Sequence, residues 1–69
     1  MRFTVNKNIR RIISKKGLRQ KDVAAMIGMK PEVLSNICCC KRRVYADEVL
    51  PIATALQCSI EDLFREVSA

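Results

Sequence analysis

Apolar residues along this chain recur at helical rather than alternating spacing. Val5, Ile9, Ile12 and Ile13 fall at i, i+4, i+7 and i+8, predicting an amphipathic first helix with Lys7, Arg10, Arg11 and Lys15 on its other faces. Gly17 is a natural stop after it, and Thr4 and Asn6 are the alternative caps at its start. A second helix reads from Gln20 to Ile27, with Val23, Ala24 and Ile27 inward, closed by Gly28. Pro31 suits the first position of a third helix, because its missing N–H would go unbonded there anyway. Leu34, Ile37 and Cys38 form that helix's apolar stripe. A fourth helix runs from about Asp47 to Leu56, with Val49, Leu50, Ile52, Ala53 and Leu56 mostly inward. A proline deep in a helix costs about 3 kcal/mol, so this helix should start close to Asp47 or bend at Pro51. Ser59 opens the fifth helix through the spacing Ser-x-x-Asp to Asp62, and Leu63, Phe64 and Val67 supply its apolar face. Met1–Val5 is the one β-like stretch and a candidate flexible tail. The fold class expected is all-α, five short helices in one bundle.

Length limits what such a bundle can hold. Sixty-nine residues make a single domain, 1–69, near the lower limit of independent folding, where only roughly 60% of the unfolded surface is buried. A substrate cleft with its own cofactor fold does not fit, and no cofactor is expected. With 49% apolar and 29% charged residues, the chain is globular rather than disordered. No apolar run reaches the roughly 18–20 residues of a membrane span, and no signal-peptide layout opens the chain. A cytoplasmic location and no membrane partner are therefore expected. There is no His, so the commonest general base and metal ligand is missing.

Charge changes the picture once it is divided. Residues 1–43 hold twelve of the thirteen Lys and Arg against Asp22 and Glu32, a surplus of +10; residues 44–69 hold Arg65 against five acids, −4, which together make the total of +6. A basic front and an acidic back imply one face that attracts a polyanion. Two short helices joined by Gly28 and a three-residue link, inside a basic all-α domain, suggest a helix-turn-helix at about residues 20–38. In that unit the first helix braces and the second presents its N-terminal side chains to base edges.

The segment GLRQKDVAAMIGMKPEVLSNI resembles the Cro and phage-repressor (Xre-type) helix-turn-helix, whose pattern runs roughly G-L-T-Q-x-x-L-A-x-x-x-G-V-S-x-x-x-I-S-x-I. Gly17, Leu18, Gln20, Ala24, Gly28, Ser35 and Ile37 match outright, and Val23, Met29 and Leu34 match in kind. ALQCSIEDLF resembles the family's A-L-G-V-S-x-x-x-L-F ending, so the resemblance covers about residues 6–66. It implies a five-helix bundle of the lambda-repressor-like DNA-binding type. It also implies that Lys30, Pro31, Glu32, Val33 and Asn36 sit where family members read bases. Asn36 can make paired hydrogen bonds with adenine, Glu32 can accept from cytosine N4, and Val33 can meet a thymine methyl. Lys30 serves a guanine or a phosphate, while Pro31 contributes shape alone. Gln20 falls where the family holds a phosphate at a helix start. Arg19 beside it, Cys39, and the run Lys41, Arg42 and Arg43 are the remaining phosphate candidates, setting affinity and salt dependence more than sequence choice.

Departures from the family pattern carry their own expectations. The usual Thr or Ser caps are Arg19 and Lys30 here, so both helix starts should be looser or capped by other groups, each lost cap costing roughly 1 kcal/mol. Many members bury an Arg–Glu pair at the positions of Ile13 and Cys38. Both charges are absent together, which leaves two groups able to pack apolarly.

Cys38, Cys39, Cys40 and Cys58 do not have zinc-ligand spacing, and no metal is expected. No structural disulfide is expected either, the chain having no export signal. Cys38 and Cys58 read as small core residues, and Cys39 as solvent-facing. Cys40 replaces the family's helix-ending Gly, so either modest strain at a positive φ or a shifted helix end is expected there. Oxidation at Cys39 or Cys40 would add bulk or negative charge beside the expected phosphate contacts and weaken DNA binding.

The leading functional expectation is a sequence-specific double-stranded DNA binder, a transcriptional regulator repressing by occupancy as a homodimer, with the acidic C-terminal helix as dimer surface. With no effector domain following, ligand sensing within the chain is not expected. The alternative is an antitoxin-like or adaptor module of the same fold that binds a regulatory protein partner. IRRIISKK also suggests a membrane-active helix, but its isoleucines are needed for the core. Three aromatics provide no stacking platform for RNA. Catalysis lacks a nucleophile–base pair, so the chain is not expected to be an enzyme.

Overall fold

The computed structural model describes residues 3–66. The helices run in the order α1 (Thr4–Lys15), α2 (Gln20–Met26), α3 (Pro31–Cys38), α4 (Ala46–Leu56) and α5 (Ile60–Phe64), with no strand among the described residues. The β-like reading of the N-terminus gives way. Thr4 and Val5 are helical, and Met1 and Arg2 lie outside the described residues. α4 begins one residue earlier than expected, with Pro51 in its sixth position. Pro51 is exposed and cannot donate to the Asp47 carbonyl one turn before it, so the helix forgoes one internal bond on its outer side.

All five helices feed one core. Ile9 and Ile13 from α1, Val23 and Ala24 from α2, Leu34, Ile37 and Cys38 from α3, Ile52, Ala53 and Leu56 from α4, and Leu63 from α5 are buried together. Ile13 and Cys38 are 4% and 2% exposed, so the positions where the Xre-type pattern implies a charged pair are packed apolarly here. Each fully buried aliphatic side chain of this kind contributes roughly 1.5–3 kcal/mol relative to exposure. Two expected core residues point outward instead: Leu50 is 61% and Phe64 54% exposed. On α4 the inward stripe passes through Ile52, Ala53 and Leu56, which leaves Leu50 on the flank. α5 is only five residues long and buries Leu63 alone. Val67 lies outside the described residues.

The helix ends explain how so short a chain turns so often. After α1, α2, α3 and α4 the chain enters the left-handed region at Gly17, Gly28, Cys40 and Gln57. At each, that residue's own N–H and the next one close on the preceding turn: Cys40 N–H reaches the Ile37 carbonyl at 3.1 Å and Lys41 N–H the Asn36 carbonyl at 2.8 Å. This closure satisfies carbonyls that would otherwise be orphaned. It needs φ > 0, which Cys40 adopts at 61° and Gln57 at 55° despite their Cβ atoms. The Ser59–Asp62 box at α5 forms as expected. Ser59 Oγ accepts the Asp62 N–H at 3.1 Å, and Asp62 Oδ2 accepts the Ser59 N–H at 3.2 Å. The Ser59 N–H and hydroxyl together hold the Asp62 carboxyl below its ordinary pKa.

Neither Thr4 nor Asn6 caps α1; Phe3 precedes the helix and no side chain caps it. Asn6 is instead buried on the apolar stripe, and so is Asn8. The Asn6 Nδ2 donates to the carbonyls of Ile37 at 2.8 Å and Arg42 at 2.7 Å. That of Asn8 donates to Leu63 at 2.7 Å and Arg65 at 2.8 Å. α1 thus ties down the chain beyond α3 and beyond α5 through two amides. Lys16 works likewise, its Nζ donating to the Leu56 carbonyl at 2.6 Å at the negative end of α4.

Candidate nucleic-acid interface

α2 packs on α3 across the turn Ile27–Lys30, and the bases of both helices lie open. Arg19 and Lys30 precede α2 and α3 with extended backbones and no side-chain cap bond, as their residue types imply. Lys30, Pro31, Glu32 and Asn36 are exposed and Val33 is half-buried, while Leu34 and Ile37 of the same helix face the core. The helical period therefore separates α3 into a packed face and a presented one. Asn36, one turn beyond Glu32, lies on the presented face. Arg19 is exposed and Gln20 half-buried at the start of α2.

The loop from Cys39 to Tyr45 is more ordered than a run of basic residues suggests. Arg42 Nη1 and Nη2 donate to Glu48 Oε1 at 3.0 Å and Oε2 at 2.7 Å, a two-point ion pair. The guanidinium lies 4.6 Å from the Tyr45 ring centroid, a cation–π distance. Glu48 Oε1 also accepts the Tyr45 N–H at 2.9 Å, and Arg42 Nη1 donates to the Arg43 carbonyl at 2.9 Å. With the Asn6 bond to the Arg42 carbonyl, the loop is held from both sides. The Arg42 hydrogen bond keeps Glu48 below the ordinary carboxylate range, and the same bond raises Arg42. Lys41, Arg43 and Cys39 are exposed and make no such side-chain bonds to the described residues. Among the phosphate candidates, then, Arg42 is occupied as a clamp whereas Lys41 and Arg43 project from a fixed loop.

The sequence that builds this arrangement matches a known family model. The Cro/C1-type HTH DNA-binding domain model covers residues 8–67. The chain belongs to that family. The Cro/C1-type fold is matched by solved structures too. The clp gene regulator ClgR from C. glutamicum is 21% identical over 91% of this chain and 82% of that one, with a TM-score of 0.86. The restriction-modification controller protein C.AhdI from Aeromonas hydrophila is 26% identical over 88% of this chain and 92% of that one, with a TM-score of 0.81. No curated protein sequence matches. No helix among the described residues is long and apolar enough to cross a membrane.

Asn6, Glu48 and Tyr45 were not among the interface residues read from sequence, yet they position its loop. Only Asn6 left a trace there: it stands three residues before Ile9, on the buried stripe, where an exposed role as cap does not fit. Glu48 and Tyr45 left none, because their partner is chosen by the path of the loop.

Proposed function

We propose that this Cro/C1-type chain is a sequence-specific double-stranded-DNA-binding transcriptional regulator of the cytoplasm that represses by occupying its operator as a homodimer. The observation that carries this reading is the presented face of α3 beside the clamped loop. Lys30 just before α3 and Glu32 and Asn36 on it are exposed, with Val33 half-buried among them, and the clamped loop carries Lys41 and Arg43 just past its end. In the proposed division of labour Asn36 reads a base edge, with Lys30, Glu32, Val33 and the shape of Pro31 beside it. Arg19, Gln20, Lys41 and Arg43 hold phosphates, Cys39 lies against the backbone, and Arg42 positions its neighbours. The likeness to a restriction-modification controller protein at 26% identity supports a regulatory role. For the dimer, Ile60 and Phe64 stand one turn apart on the outside of acidic α5, 43% and 54% exposed. Two copies joined there would address half-sites about 34 Å apart.

Selection of bound sites from random duplex DNA at fixed salt tests the reading. An enriched motif with two-fold symmetry is expected. Absence of any motif, with capture of a protein partner instead, would favour the adaptor alternative. Asn36→Ala should relax preference at one base position at a cost of about 1–3 kcal/mol, whereas Arg43→Ala should weaken all duplexes alike and flatten the salt slope. Identical effects of the two substitutions would refute the division.

A further inference from the structure

Away from the presented face of α3, a groove of about 670 Å³ runs between α1 and the end of α3. Lys7, Arg10, Arg11 and Lys15 line one side, with Ser14 among them, and Cys38, Cys39 and Cys40 line the other. The spacing of Lys7, Arg10, Arg11 and Ser14 by three and four residues puts them on one stripe of α1. Among the described residues, no carboxylate lines the groove. The ion pairs recorded among the described residues, Arg42–Glu48 and Arg65–Asp62, leave these four cations out. The three thiols differ in access. Cys38 is 2% exposed and its thiol is pushed up by burial, with Arg10 acting the other way. Cys40 is half-buried and committed by its positive φ to closing α3. Cys39 is exposed. Cys58 lies outside this groove in a second one, where Arg11, Lys15, Lys16 and Arg65 are offset by Asp62 and Glu66, and its thiol is pushed up by burial and Asp62, with Lys16 acting the other way.

We propose that this groove is a thiol-modification site that selects small disulfides bearing carboxylates, with Cys39 as the nucleophile and Lys7, Arg10, Arg11 and Lys15 as the anion-holding groups. A volume of about 670 Å³ accommodates a peptide-sized molecule. The cations gather on one shallow, open surface, where their fields add and raise the local concentration of an anion. In the reaction the Cys39 thiolate attacks one sulfur of the disulfide. A new S–S bond to Cys39 forms as the old one breaks, and the departing thiolate takes up the proton that Cys39 released. The small disulfide is the oxidant and leaves as one free thiol.

The test compares three probes of different charge on the fully reduced protein at low ionic strength: glutathione disulfide (anionic), hydroxyethyl disulfide (neutral) and cystamine (cationic). Adduct formation is followed by mass spectrometry, and each rate is divided by that of the same probe with N-acetylcysteine to remove intrinsic reactivity. The normalised rates should fall from anionic to neutral to cationic, glutathione disulfide exceeding cystamine by roughly tenfold, the low end of electrostatic steering. The adduct should map to Cys39, disappear in Cys39→Ser and persist in Cys58→Ser. Arg10→Gln should shrink the anionic preference at least about twofold, while Lys21→Gln, which removes the same charge outside the groove, should leave it intact. Equal normalised rates, an adduct on Cys58, or equal effects of Arg10→Gln and Lys21→Gln would overturn the proposal. Because no arm involves DNA, its failure is separable from that of the DNA-binding reading.

Discussion

Removing the charge on Glu48 while keeping its shape isolates the clamp that holds the loop after α3. Glu48→Gln retains an acceptor for the Tyr45 N–H, since Gln is as good as Glu at the third position of a helix. What it loses is the ionic part of two bonds of 3.0 and 2.7 Å to Arg42. Exposed pairs contribute only about 0.2–1 kcal/mol. Here the two side chains are 25% and 20% exposed and the contact is bidentate, which places the loss near the top of that range, about 1 kcal/mol. For a domain of this size that lowers Tm by about 4–8 °C. The pH dependence has a definite sign. Glu48 has a lowered pKa in the folded state, so its stabilisation is fully present above the ordinary value of 4.5 and is lost as pH falls through the folded value. Urea unfolding followed by circular dichroism at pH 7 and at successive steps down through acid pH gives the comparison. Wild type should exceed the variant at pH 7, and the gap should close in acid. A gap that persists in acid, or none at pH 7, would refute the clamp. A double-mutant cycle with Arg42→Met should return a coupling of about 1 kcal/mol.

Other outcomes follow from the same geometry. Asn6→Ala strips the partner from the carbonyls of Ile37 and Arg42; it should cost about 2–3 kcal/mol in urea unfolding and speed hydrogen exchange in the loop 39–45. Cys40→Gly relieves a side chain held at φ 61°; part of the gain is offset by unfolded-chain entropy, so stability should rise by about 0.5–1 kcal/mol and Tm with it. Phe64→Glu places a charge on the exposed side of α5 and should shift sedimentation equilibrium toward monomer with helicity unchanged; an unaltered dimer would move the self-association surface elsewhere.

The five helices were legible because each carries its own local signals. Ile9 and Ile13, Leu34 and Ile37, and Ile52 and Leu56 announce buried stripes by spacing alone, and Gly17, Gly28, Pro31 and Ser59 punctuate them. The burial of Ile13 and of Cys38 was readable too, since neither position carries a charge that would need a partner. Spacing could not place Leu50 or Phe64, because which flank of a short helix is covered depends on the neighbouring helix.

The basic front shows the boundary most clearly. Sequence determined that positive charge gathers in residues 1–43 and that a helix-turn-helix lies within them. Only tertiary structure divided that charge by use. Lys16 closes the end of α4 and Arg42 clamps a loop through Glu48. Lys41 and Arg43 project from that loop, and Lys7, Arg10, Arg11 and Lys15 line a groove against thiols. Helix formation depends on residues three and four apart, which a chain displays directly. An ion pair or a tethered carbonyl depends on where distant segments meet, and that meeting is settled only when the helices pack.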